Sequence, residues 1–463
     1  MFLFSMKEFF GRLFLRCRIW YYTLRPTYAL MIGYILYTVV IFTLLSLPIC
    51  WNVINVPWVD LLFTAVAAVS TAGLQSVNFA ETYNILGQVI ILIGLHMGGL
   101  GYMTLGSLVI MASRGHLPRN RINIGKAVLA MPASFEPQRF FRHILIFTLS
   151  IELVGTVFLW YFFWAAGTPN PLWAAIFHSA SAFCTAGISI FPNNLESFAD
   201  NTGICLVISS LCLLGGIGFI VLEDLYRSFK AKHLRTTLTT RIILVATFSA
   251  LVAGMLFFFF DPNVAEFSPK KRFLSALFQA VAALTTAGFN TIPISNLSMG
   301  SIVIIIILIS LGASPSGTGG GLKTTTWSAA IAAILSFFRG REEITFFGNK
   351  VPHGRIIAAF AAISLYLMTF ATGLYCLSLC ESHSFEHVVL EVAAALGTSG
   401  LSYSITPELS SGGKMIIMVL MFVGRLGVVF LALGAVALYH DILSESGDSG
   451  SAPPPVEEDD IVL

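Results

Sequence analysis

Residues 277–289 read LFQAVAALTTAGF, and residues 62–74 read LFTAVAAVSTAGL, identical at nine of thirteen positions. Two weaker copies keep the same frame, IFHSASAFCTAGI at 176–188 and VLEVAAALGTSGL at 389–401. Aligned, they superpose Ala68, Ala182, Ala283 and Ala395, then Thr71, Thr185, Thr286 and Thr398, then Gly73, Gly187, Gly288 and Gly400. The glycines recur at intervals of 114, 101 and 112 residues. A fourfold internal repeat is therefore the first fact about this chain, and its surroundings decide what is repeated.

Every copy lies between two long apolar runs. The 463 residues are 56% hydrophobic and 11% charged, with a mean hydropathy of +0.83. That composition would leave far too much apolar surface in water for a set of soluble domains. Runs at 28–49, 144–166, 242–260, 356–379 and 415–438 reach the roughly 20 residues needed to cross a hydrocarbon core. Twenty of the 26 Lys and Arg fall in four segments: before residue 26, at 114–142, at 227–241 and at 339–355. By the positive-inside rule these face the cytoplasm, which puts all four copies of the motif on the outer side and both termini in the cytoplasm. Each repeat then reads as outer helix, short helix of about ten residues, T-x-G turn and inner helix. The short helix cannot span, so it enters the membrane and turns back. Loose backbone at that depth is tolerated only where protein or a water-filled cavity surrounds it.

The T-x-G turn suits one chemistry. A cation leaving water needs its hydration shell replaced, and rings of backbone carbonyls do this without burying a full negative charge. Glycine permits the backbone angles that aim carbonyls at an axis, and threonine offers a carbonyl and a hydroxyl. One TAG triplet alone would be an ordinary helix end. Four in equivalent topological positions could surround one axis. The fold expected is an all-α polytopic membrane protein of four M1-pore loop-M2 repeats about a pseudo-fourfold axis, with repeats at 27–112, 140–225, 240–338 and 352–440. Residues 1–26 form a cytoplasmic amphipathic segment rather than a cleaved signal. Residues 441–463, acidic and rich in Pro, Ser and Gly, form a disordered tail.

One stretch departs from the pattern. GASPSGTGGGLKTTT, 312–326, nearly matches the phosphate-cradling G-x-x-x-x-G-K-[ST]. Leu322 breaks the register between Gly321 and Lys323, and the flanks are apolar rather than soluble α/β. The stretch is instead a helix break inside the third inner segment.

Together with the four T-x-G turns, GGLGYMTLG (98–106), LLGGIGFIVLEDL (213–225), GTGGGLKTTT (317–326) and FVGRLGVVFLALG (422–434) make the chain resemble the TrkH/KtrB superfamily of bacterial potassium transport subunits. The likeness runs over about residues 25–440 and is nearer its KtrB branch, having one span before the first motif. It implies a filter lined by Ser70, Thr71, Ala72 and Gly73 in the first repeat and by Cys184, Thr185, Ala186 and Gly187 in the second. Thr285, Thr286, Ala287 and Gly288 line it in the third, and Gly397, Thr398, Ser399 and Gly400 in the fourth. Potassium would bind there, with sodium as the alternative ion. Gly73 favours potassium, since sodium-favouring plant relatives carry Ser at that place. The resemblance further implies an intramembrane gating loop, here Gly312, Ser314, Ser316, Gly317, Thr318, Gly319, Gly320 and Gly321. Pro315 is a departure from its small-residue pattern. A homodimer seated on cytosolic nucleotide-binding RCK-type subunits, TrkA/KtrA-like, is implied as well. The chain has no soluble domain that could bind a nucleotide itself.

A buried Lys323 must face water or a partner, since a lysine at the bilayer centre is unfavourable by about 3 kcal/mol; the alternative is snorkelling to a helix end. Arg425, without an acidic neighbour in sequence, supplies a fixed charge at the inner vestibule, a tie to loop carbonyls or a tie to another helix. Glu391 is a candidate buried carboxylate that pairs with a neighbouring repeat or attracts cations. His96, His178 and His387 suit hydrogen-bonded interior positions better than a proton relay. The glycine clusters at 98–101 and 215–218 suit close helix packing, with a hinge as the secondary role. The seven cysteines show no metal spacing or disulfide framework.

The function expected is potassium uptake through a channel-like pore in the bacterial inner membrane, without catalysis, organic cofactor or nucleic acid. A secondary transporter would show a twofold inverted repeat, against four copies in one orientation here. A membrane sensor would give no reason for four T-x-G turns.

Overall fold

The computed structural model describes residues 26–428, apart from 54, 114–136, 231–235 and 342. Most of the 1–26 segment and all of the 441–463 tail lie outside the described residues. The first unit is α1 (Pro26–Leu45), the short α2 (Trp58–Ser70) and α3 (Ile85–Ser113). The second is α4 (Pro137–Ala165), α5 (Pro171–Phe183), α6 (Thr202–Ile217) and α7 (Phe219–Lys230). The third is α8 (Leu238–Phe259), α9 (Pro269–Leu284), α10 (Met299–Leu311) and α11 (Thr324–Phe338). The fourth is α12 (His353–Cys380), α13 (Phe385–Gly397) and α14 (Ser411–Leu426).

Sequence composition sorts these helices by layer. Outer helices expose large apolar side chains, among them Leu149, Leu153 and Val157 on α4, Phe248 and Phe257 on α8, and Leu367 and Met368 on α12. They suit a lipid-facing layer, and among the described residues 142–165 of α4, all of α8 and all of α12 are each long and apolar enough to cross a membrane. The short helices are the reverse, buried on almost every side. Their alanines, Ala65, Ala67 and Ala68 on α2, Ala280, Ala282 and Ala283 on α9, and Ala393, Ala394 and Ala395 on α13, favour helix and let neighbouring backbones close in.

All four inner helices begin in the same way. Asn84, Asn201, Ser298 and Ser410 each accept a hydrogen bond on the side chain from the N–H three residues on. Each satisfies one of the donors a helix start leaves free. Each inner helix then packs on the short helix of the following unit: α3 on α5, α6 on α9, α10 on α13, and α14 back on α2. Contacts that close on themselves this way set the four units around one axis.

Three details differ from the sequence expectation. The short helices have 13, 13, 16 and 13 residues rather than about ten, because the helix runs beyond the apolar stretch; in α9 the Ser268 cap lets Pro269, Lys270, Lys271 and Arg272 continue it outward. A two-stranded hairpin, β1 (Thr345–Phe346) with β2 (Asn349–Lys350), interrupts the all-α pattern, its turn made by Phe347 and Gly348, both with positive φ. Finally, the second inner segment bends by 94° between α6 and α7.

Candidate functional site

Each short helix ends at its T-x-G turn in a left-handed residue. Thr71, Thr185, Thr286 and Thr398 have φ of 51°, 50°, 58° and 51°. In three copies the flanking bonds are those of a Schellman cap: Ala72 N–H donates to Ala67 O, Ala186 to Ser181 O and Ser399 to Ala394 O. Glycine normally occupies that place, and a β-branched residue there is an outlier. Gly73, Gly187 and Gly288 follow two residues later with φ of 71°, 63° and 82°. Alternating handedness along such a run turns successive carbonyls to one side. Strain of this kind persists only where surrounding structure holds it, and it concentrates at functional sites.

The turns meet. A Cβ added at Gly73 would lie 2.2 Å from the Ala186 carbonyl oxygen, at Gly187 1.9 Å from that of Ala287, and at Gly288 2.0 Å from the Gly400 nitrogen. At Gly400 the nearest atom would be the Gly73 oxygen, 3.0 Å away. The four glycines thus form a closed ring in chain order with no room for a side chain. Four helix C-termini end around it, each contributing partial negative charge of roughly half an elementary charge. Gly98, Gly215 and Gly424 hold the ring from outside, since a Cβ there would come within 2.1 Å of the Val69, Phe183 or Leu396 carbonyl oxygen.

Residues 312–323 cross beneath this ring. The Thr71 hydroxyl donates to Thr318 O at 3.4 Å, the Thr318 hydroxyl donates to Phe183 O at 2.9 Å and lies 3.1 Å from the Thr185 hydroxyl. Gly320 N–H donates to the Thr286 hydroxyl at 3.1 Å, and a Cβ at Gly320 would come 2.2 Å from the Thr398 hydroxyl oxygen. All four threonine hydroxyls therefore abut three consecutive loop residues, Thr318, Gly319 and Gly320.

The loop is also bonded to the bend in the second unit. α6 stops at Gly218, whose φ is 93°, leaving carbonyls and N–H groups without helical partners. Ser314 N–H donates to Gly216 O at 2.9 Å and Thr318 N–H to Gly215 O at 3.1 Å. On the far side, Phe219 N–H donates to Ser316 O at 3.2 Å and Ile220 N–H to the Ser316 hydroxyl at 3.0 Å. Ser316 caps α7 from another repeat. The bend falls at the second glycine cluster, for which the sequence suggested close packing first and a hinge second, and no local pattern marks it because its caps lie nearly a hundred residues away.

Two cations fix the loop. Lys323 donates from Nζ to Gly319 O at 2.6 Å, inside the loop itself. Arg425 donates from Nη1 to Thr318 O and from Nη2 to Gly98 O and Gly99 O, at 2.7 and 3.2 Å. Its Nε donates to the Tyr34 hydroxyl at 3.1 Å. Arg425 thus ties loop carbonyls and neighbouring helices at once. It stands where the first and second repeats have Gly99 and Gly216, which lie against Cys184 and Thr285. Tyr34, which donates to Gly98 O at 2.8 Å, is a contributor that no motif marked.

Outside the ring, Glu391 is fully buried and accepts from the Ser402 and Thr406 hydroxyls, so it braces the fourth turn's exit strand. His178 bonds Ala174 O and the Ser189 hydroxyl, and the His387 ring lies against that of Tyr403 at a tilt of 40°. Asp60 on α2 and Lys414 on α14, both buried, pair at 2.8 Å and join the first unit to the fourth.

Residues 31–444 match the TrkH family model, described as a cation transport protein. The chain belongs to the TrkH family. It is 32% identical to Ktr system potassium uptake protein B of Bacillus subtilis, over 87% of this chain and 91% of that one. It is 29% identical to potassium/sodium uptake protein NtpJ of Enterococcus hirae, over 80% and 84%. The crystal structure of the potassium transporter TrkH from Vibrio parahaemolyticus shares the fold, with a TM-score of 0.64 at 20% identity over 82% of this chain and 78% of that one. Membership of the TrkH family makes this a multi-pass membrane cation transporter and not an enzyme.

Proposed function

We propose that the chain is the ion-conducting subunit of a Ktr/Trk-type potassium uptake system, with the T-x-G ring as its selectivity filter and residues 312–323 as its gate. The observation that carries this is the placement of Thr318, Gly319 and Gly320 against all four ring threonines. A pore whose filter carbonyls strip water from a cation needs a barrier on its inner side, and a loop of small residues can sit there and withdraw. Each repeat supplies Ser70 to Gly73, Cys184 to Gly187, Thr285 to Gly288 or Gly397 to Gly400 to the filter. Gly73 in the first repeat supports potassium as the cargo; the name of the Enterococcus relative keeps sodium as the second ion. The relatives named as parts of a Ktr system support a multi-component assembly, and a homodimer on separate cytosolic nucleotide-binding RCK-type subunits is the form that the family resemblance implies. The charge distribution supports a bacterial inner membrane location with both termini in the cytoplasm.

The test is tracer uptake of rubidium and sodium into proteoliposomes. Gly288→Ser places a side chain 2.0 Å from the Gly400 nitrogen, so preference for rubidium over sodium falls. Unchanged preference in a folded variant overturns the filter. Deletion of residues 318–320 raises uptake if the loop is the gate, and lowered uptake by a folded variant overturns that role.

A further inference from the structure

His96, Glu152 and Cys184 meet at the joint between the first and second units. His96 lies on α3, Glu152 on α4, and Cys184 at the end of α5, and one ligand atom from each lies within 4.8 Å of the others. We propose that these three side chains form a binding site for a borderline-soft divalent metal ion of the Zn2+ class, lying against the second T-x-G turn.

The donor set suits such an ion. Imidazole, carboxylate and thiolate are its usual protein ligands, and three of them with a water complete a tetrahedron. The His96 Nδ1 lies 2.9 Å from the Leu92 carbonyl, an oxygen that only accepts, so Nδ1 carries the proton. The other nitrogen, Nε2, is thereby aimed at Glu152, 3.1 Å from both carboxylate oxygens. Orientation of one imidazole nitrogen by a backbone carbonyl is the usual support behind a metal-bound histidine. Ligand atoms around Zn2+ sit about 3.3–3.8 Å apart, so closing the site from separations within 4.8 Å moves the sulfur by at most about 1.5 Å. The side chain of His96 is 32% exposed and that of Glu152 12%, which leaves one open edge.

Charge is balanced as well. One proton is held between Nε2 and the Glu152 carboxylate, and one sits on the thiol; Zn2+ replaces both, and they leave to solvent with no change of oxidation state. The net charge of the cluster is zero before and after, which removes the main obstacle to placing a dication in a low-dielectric interior. Cys184 is also unique among its equivalents: the other repeats have Ser70, Thr285 and Gly397 there. Its carbonyl accepts the Thr185 hydroxyl at 2.8 Å, so a metal drawing the sulfur toward α3 and α4 displaces the turn. Inhibition of transport by bound metal follows, and that part rests on the filter reading above.

The experiment uses the purified full-length chain. Equilibrium dialysis against Zn2+ alone is expected to leave one tightly held ion per chain. Cd2+ alone is expected to give the ultraviolet sulfur-to-metal charge-transfer band. Cys184→Ser removes the band and the ion, and His96→Gln or Glu152→Gln weakens Zn2+ binding by about tenfold or more, each variant being monodisperse on size exclusion. Absence of tight Zn2+ in the wild type, or a band that survives Cys184→Ser, overturns the site. In proteoliposomes, Zn2+ lowers wild-type rubidium uptake relative to the metal-free sample and leaves the Glu152→Gln ratio near one. Bound metal with unaltered uptake overturns the coupling to the turn. The dialysis and spectral readouts do not use transport, so a failure of the filter reading is distinguishable from a failure of the site.

Discussion

Arg425 donates to the carbonyl of Thr318, a residue 107 positions earlier in the chain. The same guanidinium holds Gly98 O and Gly99 O on α3, so the loop under the ring is anchored to the first and fourth units together. An isolated charge in this layer would be unfavourable by several kcal/mol. Shared among three carbonyls and the Tyr34 hydroxyl, it is satisfied, and the same bonds fix the loop's place under the ring.

Replacement of Arg425 by Gln is therefore expected to open the proposed gate more often. Hydrogen bonds to a charged group are worth about 1.5–3 kcal/mol each, so loss of the bond to Thr318 shifts the loop equilibrium about tenfold or more. Rubidium uptake by the isolated chain in proteoliposomes should rise accordingly. Uptake equal to wild type, with normal yield and thermal stability, would show that the loop keeps its place without this tie.

The bend at Gly218 gives a second prediction. The loop satisfies the ends of α6 and α7, so withdrawal of the loop strips both of their partners, and a continuous helix through 218 is the simplest way to satisfy them again. Ser316→Ala removes the hydroxyl that accepts from Ile220 N–H, a loss of about 1 kcal/mol for a cap. Gly218→Ala puts a Cβ 2.6 Å from Pro315 O at a φ of 93°, which favours the straight form more strongly. Both variants should raise uptake, Gly218→Ala by more, with increased labelling of a cysteine placed at position 317. Reduced labelling in Gly218→Ala would separate the bend from the loop.

The repeats were legible because each is a local sequence event: an apolar run, a short alanine-rich helix, and a Thr and Gly two residues apart. The pseudo-fourfold axis followed from their equivalent positions, whereas the packing of each inner helix on the next short helix, down to α14 on α2, did not, since no local pattern records it. Thr in the left-handed position of a Schellman cap shows the same limit. The triplet resembles an ordinary helix end, and its difference lies in a β-branched residue held where glycine would be easier. Lys323 and Arg425 stood out as charges in apolar sequence, whereas their acceptors, the carbonyls of Gly319, Thr318, Gly98 and Gly99, have no residue-type signature. The cluster of His96, Glu152 and Cys184 has no spacing to recognise because its members come from three helices.

Breaking the Asp60–Lys414 pair should weaken the joint between the first and fourth units. Both residues are buried, and removing one partner of such a pair leaves an uncompensated charge, a loss of about 3–5 kcal/mol. Asp60→Leu should lower the thermal stability of the detergent-solubilised protein markedly. Asp60→Leu combined with Lys414→Met should recover most of it. A double variant no more stable than Asp60→Leu alone would place the damage in packing rather than in the stranded lysine.

Asp261 supplies a pH-dependent contribution in the connection between α8 and α9. It lies just past the end of α8, and its carboxylate accepts from the Ser298 hydroxyl at 2.5 Å, the Ser301 hydroxyl at 2.6 Å, Ser298 N–H at 3.0 Å and Asn263 N–H at 2.8 Å. Burial by itself would push its pKa up, but the hydroxyls of Ser298 and Ser301 and the two N–H groups outweigh it and hold the carboxyl below its ordinary 3.8. A carboxylate depressed by folding stabilises the folded state at pH above its unfolded value, and that stability is lost as pH falls through the folded value. The start of α10 should accordingly loosen below pH 3.8 and not above it. Asp261→Asn is expected to lower the melting temperature at neutral pH, with the gap from wild type narrowing only as pH drops below 3.8. A gap that stays constant across that window would mean that the carboxylate's charge does not contribute and that shape alone holds Ser298 and Ser301.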